Sequence, residues 1–182
     1  MKKSICVILI FAVVLLLAFP ALAGSPKNKI AVQPLWLSFG MLRMEYEGKI
    51  SSNASLVAET FAMVPGVFDT NEFILDLGLG TRYYPWGEAL NGIYMGTGLH
   101  TLWLSGEHMD PVDNTIDKYK NVLVAGDLSL GYQLTLARAV SLDLGMEIFG
   151  PFCGFVYNDG DTVFDFAWET FSFYKLGVGF AW

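Results

Sequence analysis

The sequence predicts an all-β fold, an eight-stranded antiparallel up-and-down transmembrane β-barrel, on three observations. Bulky apolar residues alternate with polar or small ones over segment after segment, the period-two pattern of strands with one apolar face. Past the first residues no apolar run is long enough for a membrane helix, although 53% of the chain is hydrophobic. Glycines recur on the face opposite the bulky residues. A chain that crosses a bilayer without helices must close its strands into a barrel, because lipid offers no hydrogen-bond partner to an open edge.

The N-terminal segment is set apart. Lys2 and Lys3 precede an apolar run over Ile5–Phe19, and Ala21-Leu22-Ala23 supplies small residues where a signal peptidase reads. This predicts a secretory signal peptide over residues 1–23, removed after Ala23, and one barrel domain over residues 24–182. The run is short for a span of about 20 residues, which argues against a retained helix. No Cys stands at the cut, which argues against a lipoprotein.

The whole chain carries a formal charge of −7, and the two lysines of the leader make the remainder more acidic still. No basic patch is present, so nucleic acid is not an expected partner. Cys6 leaves with the leader, and Cys153 alone forms no internal disulfide.

The strands follow in order. Lys29 to Ser38 is the first, with a bulge expected at Pro34, which donates no hydrogen bond and leaves the faces unassigned. Gly40 to Lys49 is the second: Arg43, Glu45 and Glu47 alternate with Leu42, Met44 and Tyr46. Ser51-Ser52-Asn53 is a turn. A third strand sets Ser55, Val57, Glu59 and Phe61 against Leu56, Ala58, Thr60 and Ala62, and Pro65-Gly66 ends it. In the fourth, Phe73, Leu75, Leu77, Leu79 and Tyr83 oppose Asp76, Gly78, Gly80 and Arg82. A turn at Pro85–Asn91 leads to the fifth, where Ile93, Met95, Thr97, Leu99 and Trp103 oppose Tyr94, Gly96, Gly98 and His100.

Ser105–Lys118 is expected as a long acidic connection. The sixth strand sets Val122, Val124, Leu128, Leu130, Tyr132 and Leu134 against Asp127, Ser129, Gly131 and Gln133. After a short turn at Ala137-Arg138, the seventh sets Val140, Leu142, Leu144, Met146 and Ile148 against Ser141, Asp143, Gly145 and Glu147. Tyr157–Asp165 is a second acidic loop. The eighth strand runs to Trp182, its Tyr174, Leu176, Val178 and Phe180 opposite Lys175, Gly177, Gly179 and Ala181. Alternating short and long connections, with both ends on the short-turn side, require an even number of strands. Eight fits the spacing; six and ten are the alternatives.

Size assigns the faces. Eight strands leave an interior that side chains just fill, which suits the glycine-bearing face, and the bulky face then meets lipid. Tyr83, Tyr84, Trp86, Tyr132, Phe180 and Trp182 cluster at one set of strand ends, as an interfacial aromatic girdle does.

The motif Lys175-x-Gly177-x-x-Phe180-x-Trp182 resembles the C-terminal insertion signal of small outer-membrane β-barrel proteins, the broad group that includes the OmpA-type transmembrane domain and OmpX-type proteins. Gly80-Thr81-Arg82-Tyr83-Tyr84-Pro85 and Gly92-Ile93-Tyr94 also resemble stretches of uncharacterised members. The resemblance covers nearly all of Lys29–Trp182. It implies a cell outer-membrane location, contact with outer-membrane lipids and lipopolysaccharide, recognition by the assembly machinery, and a monomer.

The inward face is expected to hold a lumen ionic network of Arg43, Glu45, Glu59, Asp76, Arg82, His100, Asp127, Asp143, Glu147 and Lys175. Buried charges need partners, so a self-neutralising network that blocks the barrel is the first expectation. The carboxylate excess supports a second, a narrow cation-preferring pore through Glu59 and Asp127. One histidine among scattered carboxylates lacks the spacing of a metal site, so His100 is expected as a hydrogen-bonded interior residue, with no metal and no cofactor. Ser105, His108, Asp110 and Asp113 share one external connection and supply an enzyme alternative, a lipid-modifying Ser/His/Asp set. The acidic connections lack an EF-hand pattern. The expected role is structural or interactive at the cell envelope, without catalysis.

Overall fold

A computed structural model of the chain describes residues 26–37, 39–63, 72–109, 116–136, 139–158, 161–165 and 171–182. The predicted leader, the Pro65-Gly66 break and the Ala137-Arg138 turn lie outside the described residues.

The described strands are β1 (Asn28–Val32), β2 (Met41–Lys49), β3 (Ala54–Met63), β4 (Phe73–Glu88), β5 (Asn91–Met109), β6 (Ile116–Leu136), β7 (Val140–Asn158), β8 (Asp161–Asp165) and β9 (Phe171–Ala181). One short helix, α1 (Pro34–Leu37), follows β1. Each of β1 to β7 pairs antiparallel with the next, β7 pairs with β9, and β9 pairs with β1. These eight strands close on themselves and form a barrel. The ninth, β8, pairs with the far end of β7, from Gly154↔Asp165 to Asn158↔Asp161, and extends that wall as a hairpin.

Closure is made where the chain ends meet. Lys29 faces Ala181, and Ile30 faces Phe180. The Trp182 carbonyl accepts from the Lys27 and Asn28 amides at 2.7 and 2.9 Å, while the Trp182 amide donates to Asn28 O at 2.9 Å. The connections 50–53 and 89–90 and the residue Ala139 lie at this same end, the turn end.

The walls differ in height. Strands β1, β2 and β3 have 5, 9 and 10 residues, whereas β5, β6 and β7 have 19, 21 and 19. At about 3.4 Å per residue the strands of the tall wall run roughly 65–70 Å along their own length. The described parts of the expected acidic connections are therefore strand. Gly106↔Tyr119 through Met109↔Ile116 continue the β5–β6 ladder through Ser105–Lys118, and β7–β8 occupies most of Tyr157–Asp165. Continued cross-strand pairing satisfies the backbone groups that a loop would leave to water.

The first strand also differs from its expected range. It stops at Val32, and Pro34 opens α1 in place of a bulge. Proline's missing amide costs nothing at the first position of a helix and would cost a ladder bond inside a strand. Gly40, at φ 82°, turns the chain into β2. At the other proline, β4 runs through Pro85 to Glu88. One extra residue is absorbed between Tyr83 and Trp86, so the expected Pro85–Asn91 turn shrinks to Ala89-Leu90.

The faces are inverted relative to a soluble domain. Leu79, Leu99, Leu128, Leu130, Leu144 and Tyr174 are exposed on the outer wall, while Lys29, Glu45, Glu47, Arg82, Asp143 and Lys175 are buried inside. Tyr84 corrects one expectation: it is buried in the lumen rather than placed in an outer girdle. Tyr84 follows Arg82 inward, and the bulge after it turns only Trp86 to the outer face. Tyr46 joins the outer aromatics at the turn end, 6.4 Å from Trp182. Phe180 keeps an outward register but is nearly covered, stacked on Trp182 at 6.1 Å.

Candidate functional site

The inward residues expected from the alternation meet in the lumen, together with several that the alternation did not single out. Near the turn end, Lys29 Nζ lies 2.7 Å from Glu45, 2.8 Å from Glu47 and 3.3 Å from Asp143. Arg82 reaches the same acids, with Nη2 2.6 Å from Glu45 and Nη1 2.8 Å from Glu47 and 3.4 Å from Asp143. Lys175 contacts Glu45 directly and lies 3.1 Å from Glu59. Arg43 Nη2 donates to Glu59 and Glu147, each at 2.5 Å.

Four cations thus meet five carboxylates, Glu45, Glu47, Glu59, Asp143 and Glu147, so the charge nearly cancels within the cluster. Burial makes that cancellation necessary, since an unpaired charge here would lose its hydration without compensation.

Neutral donors complete the cluster. Tyr94 donates to Asp143 at 2.7 Å, and Ser55 and Tyr84 each donate to Glu47 at 2.5 Å. The Arg82 guanidinium sits 4.5 Å over the Tyr94 ring, in cation–π range. Glycines make room for these groups: a Cβ on Gly131 or Gly145 would stand 2.5 or 2.9 Å from the Tyr94 hydroxyl.

Lys29 and Glu47 were not among the expected network members. Pro34 obscured the face of the first strand, but Glu47 lies in the same alternation as Arg43 and Glu45 and was legible there. Tyr84, Tyr94 and Gln133 carried no charge to mark them, and their role emerges only from the register.

A second cluster lies toward the loop end. Its members climb diagonally over four strands: Asp76 on β4, His100 on β5, Asp127 on β6 and Glu147 on β7. His100 pairs with Gly78 and Ala125, Asp127 with Gly98 and Phe149, and Glu147 with Ser129, so each member is offset by one inward position from the last. His100 Nδ1 is 2.9 Å from Asp76 Oδ2, and Nε2 is 3.2 Å from Asp127 Oδ1. Phe149 packs edge-on against the imidazole at 5.2 Å. Beyond the His100–Ala125 pair the β6–β7 register slips between Val124 and Ala125, opposite Pro151, which supplies no ladder amide.

Described residues pack at both ends of the lumen. At the turn end Leu90 is fully buried at φ 72°, and its carbonyl accepts from Gln133 Nε2 at 3.1 Å and Thr135 Oγ1 at 2.6 Å. Ala89, Tyr84 and Tyr94 pack with one another there. Toward the loop end, α1 brings Trp36 edge-on to the inward-facing Phe61 and Phe173, at 5.6 and 5.3 Å. Between them a cavity of about 10 Å³ touches Glu59, Arg82, His100, Asp127 and Ser129. That is about the room one water needs. A larger concavity, about 570 Å³, lies on the outer wall between Leu79, Leu99, Leu128 and Ile148, where Gly126 and Gly150 carry no side chain.

The Ser/His/Asp set is not assembled by what is described. Ser105 sits in the β4–β5–β6 ladder opposite Phe73 and Lys120, while the His108 side chain, Asp110 and Asp113 lie outside the described residues. The projecting wall carries its own polar contacts, including Lys118–Glu107 at 3.1 Å. There the Tyr119 phenol, 3.3 Å from Glu72, is pushed up from its ordinary value by partial burial and by that carboxylate. The insertion-signal residues all lie at the closing strand: Lys175 and Gly177 face the lumen, and Phe180 and Trp182 stack outside.

No family model and no curated protein matches this chain. Among solved structures, it is similar to a crystal structure of a major outer membrane protein from Thermus thermophilus. That likeness has 17% identity and a TM-score of 0.42, and covers 85% of this chain and 98% of the other.

Proposed function

We propose that the protein is an integral outer-membrane β-barrel with a packed lumen and a structural or surface-interaction role at the cell envelope. The observation that carries this reading is the inversion of faces: an exposed belt of leucine, methionine and tyrosine surrounds a buried ionic cluster. Soluble monomers rarely expose apolar patches beyond a few hundred Å². A membrane span needs only about 9–11 residues of strand, so roughly half of β5, β6 and β7 projects beyond the bilayer. Their edges are the surface for recognition, as connecting segments on a rigid scaffold commonly are. Lipid and lipopolysaccharide are the proposed surroundings, the assembly machinery is the proposed transient partner, and the barrel is proposed to act as a monomer without catalysis.

The packed turn end and the interlocked charges support a closed barrel. Purified protein in planar bilayers is expected to give no channel events. Steady cation-selective conductance, lowered by Glu59→Gln or Asp127→Asn, would replace this reading with the narrow pore, which the carboxylates near the loop end favour. The proposed insertion signal is tested separately. Deleting Phe180–Trp182 removes the Trp182 clamp on Asn28 and is expected to abolish the heat-modifiable folded band in outer membranes; a normal band would count against the signal.

A further inference from the structure

We infer that His100, Asp127 and Glu147 form a binding site for a divalent first-row metal ion of the zinc type, with Asp76 as the positioning residue. The ring of His100 presents both nitrogens to carboxylate oxygens, Nδ1 to Asp76 at 2.9 Å and Nε2 to Asp127 at 3.2 Å. A neutral imidazole has one N–H, and the other nitrogen is an acceptor. With the proton on the Asp76 side, the Nε2 lone pair faces an anionic oxygen, and either a second proton or a metal ion must lie between them. A separation of 3.2 Å suits two neighbouring ligands of one ion, since zinc–nitrogen and zinc–oxygen bonds of about 2.0–2.2 Å at tetrahedral or square angles place ligand atoms roughly 3–3.5 Å apart.

A shared proton would engage only Nε2 and Asp127. The structure brings more than that. Glu147, whose Oε2 also accepts from Arg43 Nη2 at 2.5 Å, supplies a third donor, and the ligand atoms of the three residues lie within 4.8 Å of one another. The second oxygen of Asp76, Oδ1, is buried without a hydrogen-bond partner, although Asp76 as a whole is only 8% exposed. An anionic oxygen left bare beside the imidazole points to positive charge or an ion-bound water at this place.

The walls are also cut to fit. A Cβ on Gly78 would stand 2.3 Å from His100 Cε1, and one on Gly98 would stand 2.3 Å from Asp127 Oδ1. Two glycines therefore give the ring and the carboxylate their places. The Asp76–His100 contact has the form by which a carboxylate fixes the tautomer of a metal-binding histidine and raises its basicity. One imidazole with two carboxylates suits zinc and its first-row neighbours better than calcium or magnesium. Ligands on β5, β6 and β7 would let the ion pin the tall wall, and metal affinity would then add to folding stability. The inference holds whether or not the lumen conducts.

The test uses the full chain, folded in detergent, stripped with chelator and titrated with Zn²⁺ by calorimetry and with Co²⁺ by visible absorption. One equivalent is expected, with at least about 100-fold weaker binding in His100→Gln and Asp127→Asn, and about 10–100-fold weaker binding in Asp76→Asn. His108→Ala is expected to bind as the wild type does. Folding of each variant is checked by heat-modifiable mobility. Should the variants fail to fold, X-ray absorption of the Zn²⁺-loaded wild type must show one imidazole among oxygen ligands. A folded wild type that takes up no Zn²⁺ would mean that the cation is a proton. Uptake that survives His100→Gln or vanishes in His108→Ala would place the ion on the projecting hairpins. Either result, or a spectrum without imidazole, overturns the site.

Discussion

At the turn end of the lumen, Lys29, Glu45, Glu47, Arg82 and Asp143 have side chains 0–2% exposed, and each cation touches two or more acids. Toward the loop end, Asp76 and Asp127 keep 12% and 10% of their side chains exposed and flank a single histidine. Both clusters set carboxylates against basic side chains on the same inward faces, lysine and arginine in one and histidine in the other. The lower one is closed by mutual neutralisation and by Leu90 beneath it. The upper one has carboxylates in excess, a bare oxygen and a small cavity. Burial with charge balance makes a structural plug, whereas partial access with charge imbalance makes a place for something that binds.

Substitutions are expected to separate the two. Arg82→Met should have the largest effect, about 3–5 kcal/mol, because it removes the two-pronged partner of Glu45 and one of the two cations on Glu47 from a buried cluster. Urea unfolding in lipid vesicles, followed by tryptophan fluorescence, measures the loss. Tyr84→Phe should cost about 1–3 kcal/mol in the same assay by leaving Glu47 and Gln133 short of a donor. His100→Gln, measured in chelator-treated protein, should cost about 1 kcal/mol or less, since the amide keeps a hydrogen bond and water reaches the neighbouring acids. If Arg82→Met and His100→Gln shifted the unfolding midpoint equally, the distinction between plug and binding place would fail.

Alternation along each strand sorts most of the inward residues. Arg43, Glu45, Arg82, Asp143 and Lys175 are inward by parity, and the structure has them in one interlocked cluster. Parity failed where proline or paired aromatics blurred it. Pro34 hid the face of Lys29, and the aromatic run Tyr83-Tyr84-Pro85-Trp86 made Tyr84 look like a girdle residue, although it follows Arg82 inward and the bulge after it turns only Trp86 outward. The hairpin extensions were missed because glycine and acidic residues there read as loop, while cross-strand pairing overrode local composition.

What the sequence determined alone is the fold class and the sorting of residues to two faces, because the side-chain period of a strand is a local property. It also carried the excess of inward carboxylates over cations. Only the tertiary structure decided which inward residues meet. Strand register is set over the whole barrel, and it aligns Asp76, His100, Asp127 and Glu147 along a diagonal although each lies 20 or more residues from the next. No sequence spacing announces that site, because its spacing is measured across strands rather than along them.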